Sequence, residues 1–553
     1  MTIQEQYQAW LSCPAMPEEL LNDLRSMDDE QKNDSFYRQL AFGTGGLRGV
    51  LGAGTNRMNF FTVLRATRGL GSFLKETYPN PSCAISCDSR IHSRDFAELT
   101  AAALAEMGVT VHLYPRLQPT PMLSYAVRHL HCSAGVMVTA SHNPAKFNGY
   151  KVYGDDGCQL NLEAADRITS YIDKQPMLVD ALPDFKKYLD EGKIIYIGED
   201  TIEAYYQDIW TLRVKPCDQP LHAVYTPLNG AGNVPVREII RRMGNVQLDI
   251  VAEQEHPDGH FPTCPYPNPE FREAMELAIR KTVETGADFC FATDPDSDRM
   301  AAGVRVGDDV QLISGNDMGV LMLDYLSLNK DYHGTLPPVA VKTIVSTMMA
   351  DALCKKRNIE LHSVLTGFKF ICEQVRFLEE ADQLDRWLFG FEESYGYVSS
   401  TFVRDKDAVN AVLLLCEMAA NLKAEGKTLL DRLEELRKEF GYFEQRTLNF
   451  QYPGQDGANT MAALMVSLRR PLSEFDSTLL HSATRVDYLN DETGLPKSDV
   501  LEFCLADGRK FLVRPSGTEP KLKAYLFSSG PDKFSALAGL DSLEPVIRNL
   551  CEV

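Results

Sequence analysis

The sequence predicts a layered α/β protein of several domains, and three observations carry that prediction. Strand-like apolar runs alternate with helix-like segments almost throughout the chain. Its 553 residues exceed a single hydrophobic core, which sets a prior of roughly three to five domains. A composition 44% hydrophobic and 24% charged is that of an ordinary soluble globular chain.

In the first part, Cys83-Ala84-Ile85-Ser86-Cys87 and Val109-Thr110-Val111-His112-Leu113 read as strands, with an alanine-rich helix from Phe96 to Met107 between them. Val136 to Thr139 is the next strand, and it runs into Ala140-Ser141-His142-Asn143-Pro144. The residue before a proline is pushed out of the helical region, so Ser141 is expected where strand becomes loop, with its hydroxyl exposed. Open α/β sheets place their chemistry outside the carboxyl ends of the strands. A turn serine bonding its own backbone fits the same residues. A polar helix from Leu162 to Ile172 and a Pro/Asp-rich segment at 176–184 follow, so the first domain closes near residue 200. The second block starts at Ala223-Val224-Tyr225-Thr226-Pro227, contains an amphipathic helix from Phe271 to Val283, and gives the buried strand Phe289 to Thr293. A third opens with a strand from Val339 to Val345, includes Arg386-Trp387-Leu388-Phe389, and ends after a charged helix from Leu429 to Glu439. From about residue 443 the segments read as shorter and more irregular, which marks a fourth domain. The expected domains are 1–205, 206–313, 314–442 and 443–553, with no short-period repeat among them.

Charge and composition exclude several classes of function. A net charge of -21 argues against nucleic acid or an anionic membrane as partner, so an anionic ligand needs a local basic pocket. Met1-Thr2-Ile3-Gln4-Glu5-Gln6-Tyr7 has neither a basic segment nor an apolar core, and no secretion signal is expected. The most apolar run, Ala411-Val412-Leu413-Leu414-Leu415-Cys416, is bounded by Asn410 and Glu417 and is too short to span a membrane. Thirteen scattered cysteines without a Cys-x-x-Cys pair fit reduced thiols in a cytoplasmic protein.

Two segments carry the strongest chemistry. Thr293-Asp294-Pro295-Asp296-Ser297-Asp298-Arg299 follows directly on a strand, and in an extended loop side chains two apart share a side, so the three carboxylates converge. Two carboxylates about 4 Å apart repel by roughly 4 kcal/mol at an effective dielectric near 20, so such a cluster wants a cation. Oxygen ligands beside a phosphate suit Mg²⁺. The EF-hand pattern fails because Arg299 and Arg305 stand where it needs glycine and glutamate. A solvated acidic turn has a similar composition. Arg514-Pro515-Ser516-Gly517-Thr518 lies between two apolar strands and combines a guanidinium, two hydroxyls and a glycine, the ingredients of a phosphate cradle. A β-turn bearing a surface arginine reads the same way.

Weaker signals come from Phe42-Gly43-Thr44-Gly45-Gly46-Leu47-Arg48-Gly49, from Gly390-Phe391-Glu392-Glu393-Ser394-Tyr395-Gly396, and from the cations of Thr366-Gly367-Phe368-Lys369 and Arg404-Asp405-Lys406-Asp407. The glycine cluster is not a dinucleotide fingerprint, since Arg48 stands where the third glycine belongs. Nor is Gly426-Lys427-Thr428 a P-loop, with Asn421 in the place of its first glycine.

Taken together and in this order, these segments resemble the α-D-phosphohexomutase superfamily, and most of all its phosphoglucomutase/phosphopentomutase branch. Thr139 to Pro144 is similar to the phosphoserine loop, Asp294 to Arg299 to the metal loop, Glu392-Glu393-Ser394 to the sugar loop and Arg514 to Thr518 to the phosphate loop. The phosphomannomutase type more often has histidine where Phe368 and Tyr397 stand. The resemblance implies three similar mixed α/β domains and a smaller C-terminal α+β domain related to the TATA-binding-protein fold, around a central cleft. It implies an isomerase that interconverts glucose 1-phosphate and glucose 6-phosphate, through phosphorylated Ser141 and a glucose 1,6-bisphosphate intermediate that also acts as activator. Phosphopentomutase, phosphomannomutase and a non-catalytic sugar-phosphate sensor are the alternatives.

The same resemblance implies roles for single residues. Mg²⁺ is expected on Asp294, Asp296, Asp298 and an oxygen of phosphorylated Ser141, with Arg48, Arg299 and Lys151 offsetting the remaining negative charge. Lys151 is expected to transfer the proton of the sugar hydroxyl, with His142 assisting and Lys406 as a second candidate. Substrate contacts are expected from Arg299, Thr366, Gly367, Lys369, Glu392, Ser394, Arg514, Ser516, Gly517, Thr518 and Lys523.

Overall fold

The computed structural model describes residues 1–452, 457–515 and 521–552. Three helices open the chain, at Ile3–Leu11, Glu18–Ser26 and Asp29–Phe36. The first and third begin with capping boxes, Thr2 with Glu5 and Asp28 with Gln31, each satisfying two backbone N–H groups that the helix leaves free. Trp10 and Phe36 from these helices pack with Phe61 of the helix Phe60–Thr77, which seats the segment on the first domain.

Four sheets follow in chain order. The first three share one four-stranded unit. In each, a first strand lies between a second and a third, both parallel to it, and a fourth pairs antiparallel with the third. The units are Ser82–Cys87, Thr110–Leu113, Ala134–Val138 and Phe147–Gly154; then Leu221–Thr226, Val246–Ile250, Phe289–Thr293 and Met300–Val306; then Val339–Thr343, Glu360–Val364, Trp387–Glu392 and Gly396–Val398. Gly46–Val50 and Ile194–Tyr196 extend the first sheet at its two edges, and Asp309–Ile313 extends the second. The parallel strands are joined through helices such as Ser93–Glu106 and Arg272–Thr285, as parallel pairing requires.

The fourth sheet is antiparallel throughout: Tyr442–Gln451, Lys521–Gly530, Lys510–Pro515, Leu501–Cys504 and Thr484–Asp487 in spatial order. Helices Gly457–Ser467 and Lys533–Cys551 pack Leu464, Met465, Leu540, Leu543 and Ile547 against it. The expectation of short, irregular segments after residue 443 is corrected here, because two of these strands run for ten residues. Tyr442–Gln451 alternates buried and solvated positions only in its second half, so its apolar content is too low to read as a strand in isolation.

One continuous apolar core joins the first three domains. It holds Met137 and Tyr153 of the first sheet, Tyr225 and Phe291 of the second and Phe389 and Tyr397 of the third. The apolar run 411–416 lies in the middle of it, on the helix Ala408–Ala424, which is buried nearly all round. The helix Glu199–Trp210 feeds Ile202, Tyr205 and Ile209 into the same core. The strand expected to reach Val345 stops at Thr343; Ile344 and Val345 turn outward instead and pack on Tyr488, Leu512 and Tyr525 of the fourth domain. No described helix is long and apolar enough to cross a membrane. All thirteen cysteines are free thiols.

Candidate active site

In every repeat the connection between third and fourth strands is one of the segments that the sequence singled out. It carries Ser141 in the first, Asp294 to Arg299 in the second and Glu393 to Tyr395 in the third. Each of these loops contains a left-handed residue that is not glycine: Ser141 at φ 52°, Ser297 at φ 50° and Tyr395 at φ 64°. Such residues are uncommon and persist only where their surroundings hold them. In each repeat the loop is braced from the end of the first strand or the loop that follows it. Arg90 donates to the carbonyls of Ser141, Asn143, Pro144 and Phe147, and is itself paired with Asp88 at 3.4 Å. The N–H of Ala231 donates to the carbonyl of Pro295 at 2.8 Å, and Gly230 lies so close that an added Cβ would sit 2.5 Å from the Pro295 Cα. Thr343 donates its hydroxyl to Glu393 at 3.0 Å.

The metal loop is not extended as expected. A turn in which the N–H of Ser297 donates to the carbonyl of Asp294 at 2.8 Å folds it back, and the backbone N–H groups of Asp298 and Arg299 both donate to Asp294 Oδ1. The turn, rather than a shared side of an extended chain, brings one oxygen of each of Asp294, Asp296 and Asp298 within 4.8 Å of the others. All three carboxylates are buried. The loop is stitched to its neighbours by backbone: Thr120 N–H donates to the Asp296 carbonyl at 2.9 Å and Met300 N–H to the Tyr395 carbonyl at 3.1 Å.

Ser141 Oγ donates to Asp294 Oδ2 at 2.7 Å and lies 3.2 Å from His142 Nδ1. The hydroxyl is buried against these partners, at 4% residue exposure, and not free at the surface as expected. Lys151 Nζ is 2.8 Å from Asp296 and 3.5 Å from Asp298; Lys406 Nζ is 3.3 Å from Asp298 and 3.2 Å from Asp405. Asp296 also accepts from Thr120 Oγ1 at 2.8 Å.

Burial works to raise all three aspartates. It prevails at Asp294, where the charges of Asp296 and Asp298 add to it, and at Asp298, where Asp296 does. At Asp296 the Lys151 ammonium and its hydrogen bond outweigh burial and hold the carboxyl far below the usual range. Burial opposes the charge on both lysines, yet Asp296 and Asp298 at Lys151, and Asp298, Asp405 and Glu392 at Lys406, push them above the ordinary lysine value. Burial, with Arg299 and Arg48 nearby, pushes His142 well below the usual histidine value, so its ring is neutral at pH 7.

The carboxylates fit a divalent cation. Asp296 Oδ1 and both oxygens of Asp298 are buried without a hydrogen-bond partner, which a protein tolerates only where something else satisfies them. An oxygen-only donor set of this kind suits a hard cation.

Of the other expected residues, Arg48 projects from the edge strand Gly46–Val50 with no hydrogen bond or ion pair to a described residue, within electrostatic reach of Asp296 and Asp298. Arg299 donates to Glu270 at 2.6 Å. Glu392 is buried at the end of its strand, where its charge is felt by Arg299 and Lys406, and Ser394 is half-buried in the turn that follows. Arg514 donates to the Thr366 hydroxyl across the third and fourth domains, and it is paired with Lys523 in the sheet, so the two cations share a face. Gly367, at φ 120°, starts the helix Phe368–Glu380. Lys369 donates to the Thr44 carbonyl at 3.1 Å and touches none of the aspartates. Ser516, Gly517 and Thr518 lie outside the described residues. Sequence reasoning missed Asp88, Arg90, Thr120 and Glu270. The signal for the first two was present, since Asp88-Ser89-Arg90 directly follows the strand Ser82–Cys87.

Comparison with known proteins places this arrangement. The chain matches the descriptions of phosphoglucomutase/phosphomannomutase alpha/beta/alpha domain I over residues 39–178, domain II over 203–307, domain III over 314–440 and the C-terminal domain over 472–537. It is 34% identical over 520 residues to a phosphoglucomutase of Staphylococcus haemolyticus, covering 92% of this chain and 93% of that one. A phosphoglucomutase of Staphylococcus epidermidis is 33% identical over 541 residues, covering 95% and 97%. Among solved structures, the exocytosis-sensitive phosphoprotein parafusin, a phosphoglucomutase of Paramecium in its open form, superposes with a TM-score of 0.71 at 19% identity, covering 93% of this chain and 96% of that one. A phosphoglucomutase/phosphomannomutase family protein of Burkholderia thailandensis gives 0.67 at 18%, covering 93% and 98%. Repeated α/β domains whose equivalent loops meet at one site, with an antiparallel fourth domain, define an α-D-phosphohexomutase, an isomerase that moves a phosphoryl group within a sugar phosphate. The chain belongs to the phosphoglucomutase/phosphomannomutase family.

Proposed function

We propose that this protein interconverts glucose 1-phosphate and glucose 6-phosphate by passing a phosphoryl group through Ser141. The observation that carries the reading is the hydroxyl of Ser141, held 2.7 Å from Asp294 at the head of the three-aspartate cluster. Mg²⁺ held by Asp294, Asp296 and Asp298 would neutralise charge on the phosphoryl oxygens, the main demand of such a transfer. Arg48 and Arg299 supply further positive charge beside it. Lys151 and Lys406, held as ammonium ions, are suited to donate a proton to the sugar oxygen that loses its phosphoryl group. Neutral His142, 3.2 Å from Ser141 Oγ, is suited to accept one.

Glu392 and Ser394 would hold sugar hydroxyls, while Thr366, Gly367, Lys369, Arg514, Lys523 and the segment 516–518 would hold the phosphate that is not being transferred. An intermediate phosphorylated at both ends, glucose 1,6-bisphosphate, must turn round between the two transfers and would also serve as activator. The same reading takes the four domains as ending near residues 205, 313, 442 and 553 and the protein as cytoplasmic. A coupled assay with glucose 1-phosphate, mannose 1-phosphate and ribose 1-phosphate tests it. Glucose 1-phosphate should turn over fastest and without release of free phosphate. A preference for ribose or mannose would change the substrate, and release of phosphate would replace the mutase by a phosphatase.

A further inference from the structure

Arg299 and Asp298 sit side by side in the site without a hydrogen bond between them. Arg299 Nε is buried and has no hydrogen-bond partner, and Asp298, 4.0 Å away, has both carboxylate oxygens buried and equally without one. A guanidinium on a flexible stem would ordinarily close that gap. What restrains it is the other end of the same guanidinium, where NH1 donates to Glu270 Oε1 at 2.6 Å. Glu270 is in turn fixed: its N–H donates to Asn268 Oδ1 at 3.2 Å, and Asn268 is buried. The segment leading to it rests on the first domain, where Gly259 lies against the backbone of Ser89 to Ile91 and the ring of Phe261 stacks on the Arg90 guanidinium at 5.0 Å.

We propose that Glu270 is a positioning residue that holds Arg299 off the aspartate cluster. In that position the guanidinium leaves the Asp298 oxygens, which have only the lysine ion pairs described above, open to a cation, and its own Nε edge stays available to an anion. The inference rests on reading Asp294, Asp296 and Asp298 as cation ligands. It assigns to Glu270 the choice between two pairings of one arginine, with Glu270 or with Asp298.

Direct titration of the full-length, dephosphorylated protein with Mn²⁺, followed by the loss of the free-ion paramagnetic resonance signal, tests this without reference to turnover. Glu270→Ala should weaken Mn²⁺ binding by about tenfold, within the range of couplings between charged groups in contact. Glu270→Gln keeps an acceptor for Arg299 and should lose less. The double variant Glu270→Ala/Arg299→Ala should bind Mn²⁺ as tightly as Arg299→Ala alone, because no guanidinium remains to occupy Asp298. Wild-type affinity in Glu270→Ala, or a double variant as weak as Glu270→Ala, overturns the positioning role while leaving the cation site standing. A wild-type protein that binds no Mn²⁺ removes the cation reading and the proposal with it.

Discussion

Ser141 illustrates how a single side chain is held in place by its neighbours. Its backbone is held left-handed by the Arg90 clamp and by its own N–H, which donates to Thr139 Oγ1 at 2.8 Å. None of these contacts uses the hydroxyl, so Ser141→Ala keeps them all. The variant should lose at least about a thousandfold in turnover, as expected for deletion of a nucleophile. Its melting temperature should stay within about 2 °C of wild type. Intact-mass measurement after incubation with glucose 1,6-bisphosphate and Mg²⁺ should show a phosphate on the wild type and none on the variant; a phosphorylated variant would place the phosphoryl group elsewhere.

Loops and helix ends show the same dependence on braces. Gly230 is the brace of the metal loop, and any side chain there must push against the Pro295 backbone. Gly230→Ala should therefore displace the three aspartates and weaken Mn²⁺ binding by at least about tenfold, while circular dichroism stays that of the wild type. Unchanged cation affinity would show that the close approach is incidental. At the start of the helix Ser93–Glu106, His92 joins Asp95 at 2.8 Å to Glu19 of the N-terminal helices at 3.1 Å. The hydrogen bond that His92 donates to Asp95, against burial and with help from Glu19, raises the histidine to about 9. A folded-state pKa above the unfolded one contributes stability that is complete below the ordinary histidine value and is lost as pH rises through about 9. Allowing for solvent screening, thermal denaturation should show wild type losing about 1 kcal/mol between neutral pH and pH 10. His92→Asn, which tolerates the left-handed backbone, should not show that loss.

At the scale of the molecule, the proposed site takes its last wall from the contact between the third and fourth domains. Arg514 reaches Thr366 there, above an apolar seam of Ile344, Val345, Leu365, Leu512 and Tyr525. A charge-assisted bond to phosphate is worth roughly 1.5–3 kcal/mol, so Arg514→Ala should weaken apparent affinity for glucose 1-phosphate by about ten- to a hundredfold. It should also let more bisphosphate escape, making activity depend on added glucose 1,6-bisphosphate. Steady-state rates with and without that activator decide the matter: wild-type affinity and an unchanged activator requirement would leave Arg514 as a bond between domains only.

The strand ends that carry chemistry were legible in the residues, because a short apolar run stopped by a proline or an aspartate turn is a local property of the chain. Ser141 and the aspartates of 294–298 were singled out that way, Glu392 only through the family resemblance, and most of the buried strands were read from their apolar runs. The threefold similarity of the α/β domains was expected through the family resemblance and was not legible in the residues themselves, since strand order and direction leave no mark on residue identity when the repeats differ in sequence. Nor were the braces. Ser141 and Asp294 are 153 positions apart, and Thr120 and Asp296 are 176 apart. Whether such residues meet depends on how the sheets stack on the shared core around the helix Ala408–Ala424. Convergence of the three carboxylates follows the same rule: their spacing was read correctly, but the left-handed turn at Ser297 that gathers them is held by Asp294 and by the loop of Gly230, and those contacts exist only after the chain has folded.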